Sequence, residues 1–289
     1  GVWYVLYCIK VVPSARLGRH VFGVLGGLAL IFSAFFLNFG AAYGATPLED
    51  KIGLEITAPS TEDLIVALSY TEVQLNQGAD EVDFAASGAS KMPYSFAELT
   101  EKLNAAYDKL YPEYDFLTPL HAPVKRIALS KPMTYTHLSG IYAVYTGEAN
   151  VNINYPDFVI VYTTAHEMAH QRGVAPEDEA NFIAFLVCAA SDDPYIRYCG
   201  YANLYEYIAD ALYSADADAC RSIASFLDPA VAGEFAAYSK MFAPYSHSTA
   251  SAVTDTINDT YLKLQGESAG TKSYGLVVDL AVAYLKKQY

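Results

Sequence analysis

His166-Glu167-Met168-Ala169-His170 is the stretch on which the reading of this chain turns. On an α-helix, residues four apart share a face, so the imidazoles of His166 and His170 can meet one metal ion. Glu167 falls about 100° round the helix, beside such an ion rather than on it, where a carboxylate can act as general base toward water. Immediately upstream, Asp157-Phe158-Val159-Ile160-Val161-Tyr162 is apolar and β-branched. That run predicts a strand feeding the helix, with Thr163 or Thr164 as the cap. Two surface histidines on an amphipathic helix would give the same five residues, so the flanks decide.

Downstream the sequence continues Gln171-Arg172-Gly173-Val174-Ala175-Pro176 and then Glu177-Asp178-Glu179-Ala180-Asn181-Phe182. Gly173 is a natural helix stop, Pro176 a natural helix start, and the acidic first turn of the second helix suits its dipole. A loop this short makes the two helices roughly antiparallel and brings the start of the second beside His170. Glu177 can then complete a His-His-Glu donor set, with Asn181 on the same face, bonded to the free nitrogen of a ligand histidine. Glu179 is the rival ligand, but it lies about 200° round the helix from Glu177, and the facing argument favours Glu177. Zn²⁺ follows from the ligand types, although another divalent ion suits the same donors.

The His-Glu-x-x-His helix followed by Glu-x-x-Ala-Asn resembles the gluzincin branch of zinc metallopeptidases. That resemblance implies a zincin-like fold, two histidines and a downstream glutamate on zinc, and again selects Glu177 with Asn181. Several stretches also resemble a bacterial membrane family called domain of unknown function 3810. They are Phe36-Leu37-Asn38-Phe39-Gly40, Gly147-Glu148-Ala149-Asn150-Val151-Asn152, residues 166–182, and Ala190-Ser191-Asp192-Asp193-Pro194-Tyr195. The likeness would span nearly the whole chain and implies a membrane-tethered peptidase without naming a substrate. The loop between the two motif helices is much shorter than in better-known gluzincins, so no distal transition-state histidine or tyrosine carries over.

Residues 21–48 carry no charged side chain and no histidine, which exceeds the roughly 20 residues that cross a bilayer. A transmembrane helix over residues 21–43 is expected. Residues 1–12 read as the end of an earlier, truncated span, 13–20 as a cytoplasmic connection, and 44–289 as one extracytoplasmic domain. Lys10, Arg16, Arg19 and His20 lie on the connection, whereas the first charges after the span are Glu49 and Asp50; the positive-inside rule sets the orientation from that contrast. The predicted location is therefore the bacterial cytoplasmic membrane, with the large domain outside. With 18 Lys and Arg against 32 Asp and Glu, the net charge is −14, which argues against nucleic acid or anionic lipid as a partner of the exterior.

The rest reads as α+β and mainly helical. Helices are expected over residues 60–77, 95–110, 201–213, 229–242, 252–264 and 276–287. Short strands are expected at 127–129, 140–145 and 151–155. Residues 148–154 are the candidate edge strand for pairing an extended peptide, which makes Glu148, Ala149 and Asn150 candidate substrate-binding residues; an ordinary internal strand is the plain alternative. Tyr195, Tyr198 and Tyr201, with Arg197 among them, are candidates to stabilise an oxyanion, though aromatic packing explains most tyrosines. His121, His137 and His247 read as surface or packed residues. Cys8 is placed in or near the membrane and Cys188 as a buried thiol; Cys199 and Cys220 could pair in an oxidising compartment, with the unpaired state favoured.

The expected activity is hydrolysis of a peptide bond outside the cytoplasm by metal-activated water. His166, His170 and Glu177 would hold the zinc, and Glu167 would be the base. The alternative is a non-catalytic zinc-bearing sensor or binding module for extracellular peptide or cell-wall fragments. A purely structural membrane protein comes third.

Overall fold

The computed structural model describes residues 14–246, 248 and 274–288. The expected span over residues 1–12, the helix over 252–264, Cys8 and His247 lie outside the described residues. Helix α1 (Ser14–Asn38) is followed by a 3-10 turn (Gly40–Gly44) and the short helix α2 (Leu48–Ile52). Two longer helices, α3 (Thr61–Ala79) and α4 (Phe96–Leu110), come next. A small sheet is then built from β1 (Lys125–Arg126), β2 (Gly140–Ala143) and β3 (Glu148–Val151), with helix α5 (Ser130–Thr134) between the first two strands. The remaining helices are α6 (Asp157–Gln171), α7 (Glu177–Ala190), α8 (Pro194–Ala215), α9 (Ala217–Ala224), α10 (Pro229–Phe242) and α11 (Tyr274–Leu285). The chain is thus mainly helical with one small sheet.

Local chemistry explains the clearest boundaries. Ser60 and Ser95 each cap a helix reciprocally with the acid three residues on, Asp63 and Glu98, satisfying the free N–H groups of the first turn. Asp193, Asp216 and Asp228 cap α8, α9 and α10 with their side chains. Helix α6 ends in a Schellman turn. The Val174 N–H bonds to the Ala169 carbonyl at 3.2 Å and the Gly173 N–H to the His170 carbonyl at 3.1 Å, with Gly173 at φ 91°.

One hydrophobic core runs from Leu48 to Leu285. Helices α6, α7 and α8 pack on one another at its centre, α3 lies along α8, α4 and α11 cover α7, and the sheet packs on α6. Helix α1 stands apart from this core. Its segment Gly18–Asn38 is long and apolar enough to cross a membrane and none of it is buried.

Three expectations are corrected. Residues 157–162 are not a strand but the first turns of α6, capped at Pro156 rather than at Thr163 or Thr164. Phe158, Val159, Ile160, Val161 and Tyr162 are all buried, and a helix buried on every side carries no polar stripe to reveal its period. The apolar helix stops at Asn38 instead of running to residue 43, because Phe39 and Gly40 turn inward and are buried. The third concerns the sheet. Its order is β1-β3-β2, with β1 parallel and β2 antiparallel to β3. Residues 148–151 are therefore the central strand and have no open edge to offer. Ala149 and Val151 point into the core, and Glu148 pairs with Lys125 across the sheet. The free edge beside the core helices belongs to β2.

Candidate metal centre

The α6–α7 hairpin brings three donor atoms together. The Nε2 atoms of His166 and His170 are 3.1 Å apart, and Glu177 Oε2 lies 3.1 Å from the first and 3.6 Å from the second. Zinc–nitrogen bonds of about 2.0–2.1 Å in a tetrahedron put neighbouring donors about 3.3–3.4 Å apart. The observed triangle matches that spacing, and among the described residues these three form the group that can hold a metal ion.

Tautomer chemistry points the same way. The His170 Nδ1–H donates to the Val174 carbonyl at 2.8 Å. In the neutral imidazole the lone pair therefore sits on Nε2, facing the other two donors. Three lone-pair-bearing atoms converging in a buried setting repel one another unless protons or a cation lie between them. Without metal, protons fill that role. Burial opposes charge on His170, but the Glu177 carboxylate outweighs it and carries the imidazole up to about 9. Burial likewise works against the Glu177 anion, and His170 and His166 outweigh it, holding the carboxyl well below the usual range. The donor set fits a divalent ion bound by two neutral imidazoles and one carboxylate.

Glu177, not Glu179, completes the set. Glu179 Oε1 instead accepts from the Leu48 N–H at 3.0 Å, tying the segment after α1 to α7. Asn181 lines the cavity beside the ligands but does not bond to either imidazole. His170 Nδ1 is taken by Val174, and His166 Nδ1 is buried without a protein partner. The expected Asn181 contact is corrected: the loop carbonyl released by the Schellman turn reaches the ring first.

Glu167 is 4% exposed and its Oε2 has no hydrogen-bond partner. Burial, only partly offset by His166 and His170, pushes its carboxyl up to about 7. A proton acceptor of that strength beside a metal-ligand set suits general base work near neutrality. Gly140, the first residue of β2, packs on the Glu167 carboxylate so closely that a β-carbon there would lie 2.7 Å from Cδ.

The donors and Glu167 open on a cavity of about 1040 Å³. Glu177 keeps 36% of its side-chain surface exposed, so the cluster is reached from that side. The wall opposite α6 is β2 with Gly140, Ile141 and Tyr142, and α8 contributes Glu206 and Asp210. Phe39 stacks edge-on against His170 at 5.8 Å between ring centroids. His137 lines the same cavity and its Nε2–H donates to the Tyr245 carbonyl at 2.8 Å, whereas His121 pairs with Asp108 at the surface. Phe39 lies in the stretch 36–40 that carries the family resemblance, whereas no motif marks Gly140, Glu206 or Asp210. The Gly after a Leu-Ser pair at 138–140 was the one legible hint of a close approach.

Tyr195, Tyr198, Tyr201 and Arg197 do not reach this cavity. Tyr195 bonds to Ser90 at 3.0 Å, Tyr198 donates to the buried Glu234 at 2.6 Å, Tyr201 packs on Phe185, and Arg197 donates to the Ser191 and Asp192 carbonyls. Helix α8 turns that face toward α3 and α10, which removes these side chains from oxyanion duty. Cys188, Cys199 and Cys220 are free buried thiols.

No curated protein and no solved structure matches the chain. One family profile does, over residues 1–282, and it carries the description "Protein of unknown function (DUF3810)". A match of that extent places this chain in that family.

Proposed function

We propose that the protein is a membrane-anchored, zinc-dependent peptidase whose catalytic domain faces the outside of the bacterial cytoplasmic membrane. The reading rests on one observation above others: two imidazoles and a carboxylate converge on one point beside a buried, unpartnered carboxylate that is not part of the donor set. A site that only held a metal, or only recognised a peptide, would have no use for Glu167. That residue counts against the non-catalytic sensor.

His166, His170 and Glu177 would hold the ion. When bound, zinc lowers the pKa of a water from about 15.7 toward 7 and polarises a carbonyl. The chain's own residues supply the rest. Glu167 accepts the proton of the attacking water on the oxygen that lacks a partner, then returns it to the leaving amine. The Val174 carbonyl fixes the His170 tautomer. The open edge of β2, immediately beside Glu167, pairs the backbone of an extended substrate by main-chain hydrogen bonds, which selects for conformation more than for one side chain. The apolar helix α1 anchors the domain, and the Arg16 and Arg19 end of that helix is expected in the cytoplasm.

The test is a pair of variants assayed on a quenched-fluorescence peptide library with a chelator control. Glu167→Gln is expected to keep its metal and lose activity by about 10²–10⁴-fold. His170→Ala is expected to lose the metal itself. Full activity in Glu167→Gln removes the assigned base, and normal metal content in His170→Ala removes the ligand set.

A further inference from the structure

Residues 140–147, β2 and the turn into β3, carry no charged side chain. Ile141 and Tyr145 on this hairpin are 44% and 58% exposed. Large apolar side chains turned outward at a free sheet edge are the reverse of what a water-facing edge carries.

Tyr145 also touches α1. Its hydroxyl donates to the Ile31 carbonyl at 3.4 Å, seven residues before α1 ends at Asn38. At 1.5 Å per residue that is about 10 Å down the helix. The 25 residues of α1 make a rod about 37 Å long, close to the roughly 40–45 Å of a bilayer with its headgroups. With Asn38 at the outer limit of the headgroups, Tyr145 lies near the boundary between headgroups and acyl chains, the depth at which tyrosine is enriched. No linker separates that helix from the metal centre, because Phe39, the next residue, packs on Tyr142 at 5.1 Å and on His170 at 5.8 Å. The hairpin whose strand forms the cleft wall thus reaches the membrane helix through its turn.

We propose that the hairpin of residues 140–147 docks into the headgroup–acyl boundary beside α1. The cleft then opens at the bilayer surface and takes polypeptide segments that lie on that surface or emerge from it. The docking stands on the contacts above; the substrate class rests on the peptidase reading as well. Pairing with β3 satisfies one side of β2 and leaves the other for substrate, while the headgroup layer, with its water and phosphate oxygens, can serve the backbone of the turn at residues 144–147.

The experiment uses the full chain in vesicles of phosphatidylcholine and phosphatidylglycerol, with Trp3→Phe to remove the native tryptophan. A single reporter is placed by Tyr145→Trp or, as a control, by Phe226→Trp, a 71% exposed position in the loop between α9 and α10. Lipids brominated near the headgroup are expected to quench the position-145 reporter and shift its emission to the blue, leaving the control unchanged. Equal quenching at both positions overturns the docking. In a second arm one fluorogenic peptide is offered free in solution or acylated onto the same vesicles. The vesicle-held form is expected to be cleaved at least about tenfold faster, and Tyr145→Glu is expected to erase that advantage while sparing the soluble reaction. Equal rates on the two forms overturn the substrate class. Quenching without cleavage of either peptide leaves the docking in place and removes the peptidase reading together with its substrate class.

Discussion

Gly140 and Glu167 are packed so that only a hydrogen fits between them. A β-carbon on Gly140 would stand 2.7 Å from both Cγ and Cδ of Glu167 and nearer still to Oε1. The position of the carboxylate is therefore set by the edge strand across the cleft as well as by its own helix.

Gly140→Ala is expected to displace either the carboxylate or the strand. Activity falls by about 10²-fold, the usual effect of misplacing a catalytic group by an ångström. Metal content stays at the wild-type level, because the atoms a β-carbon would meet first belong to Glu167 and not to the three donors. Measuring kcat/KM and metal per chain on one preparation checks both halves. Joint loss of metal and activity would show that the strand supports the ligands instead.

The two neighbouring glutamates of α7 are expected to separate cleanly. Glu177→Gln loses metal, as read by mass spectrometry of the purified protein. Glu179→Ala keeps it but leaves the buried Leu48 N–H without its acceptor, at a cost of about 1–3 kcal/mol in unfolding free energy. Asn181→Ala is also expected to keep its metal, since its side chain bonds to neither ring.

Arg172 is fully buried. Its guanidinium lies 3.8 Å from the Tyr107 ring centre and donates to the Tyr111 hydroxyl, the Met168 carbonyl, Asn104 Oδ1 and the Leu120 carbonyl. It joins the end of α6 to α4 and to the strand-bound segment beyond. Arg172→Met is expected to destabilise the domain by about 3–5 kcal/mol in urea titrations, because several buried acceptors lose their donor together. Arg172→Lys does not restore it, since an ammonium cannot reach the same fork of partners. A change below about 1 kcal/mol would show that water replaces the guanidinium without cost.

How much of this was open to reading from the residues alone divides along one line. Ser60 with Asp63, Ser95 with Glu98, and Gly173 before Pro176 are local devices whose geometry follows from nearest neighbours, and the helix starts and the hairpin they predict are present. The His166, His170 and Glu177 convergence was equally legible, because it needs only helical spacing and a short loop. What failed depended on distant partners. The run 157–162 lost its period by being buried on every side. Residues 148–151 became the central strand because β1 arrives from the far side. Tyr195 and Tyr198 are near the site in sequence, but α8 points them at Ser90 and Glu234. No spacing rule announces that Val174 intercepts the nitrogen meant for Asn181.

The C-terminal end of the chain supplies a pH prediction. Lys286 Nζ lies 2.7 Å from Asp63 Oδ1, and Ser60 donates to the other oxygen from its N–H and its hydroxyl at 2.9 and 2.8 Å. Lys286 and Ser60 together hold the Asp63 carboxyl down at about 2. A carboxylate whose folded value lies below the unfolded value of about 3.9 contributes stability that is complete above that value and is lost as pH falls through the folded one. Thermal midpoints of wild type and Asp63→Asn are therefore expected to differ at pH 5 and to converge near pH 2. Parallel curves across that window would remove the pair from the account of acid lability.

All three candidate metal donors lie within residues 166–177, on two helices joined by one tight turn. Contacts so close in sequence close early and quickly, since little chain entropy is lost in making them. Glu167 is different: its surroundings need Gly140 from the sheet, and the cleft needs Phe39 and α8. Under the proposed function, an ion would thus be captured by a nascent hairpin while the rest of the domain is still being made. On the proposed reading, loading and competence are then successive events, and a partly folded chain would carry its ion before its cleft is complete.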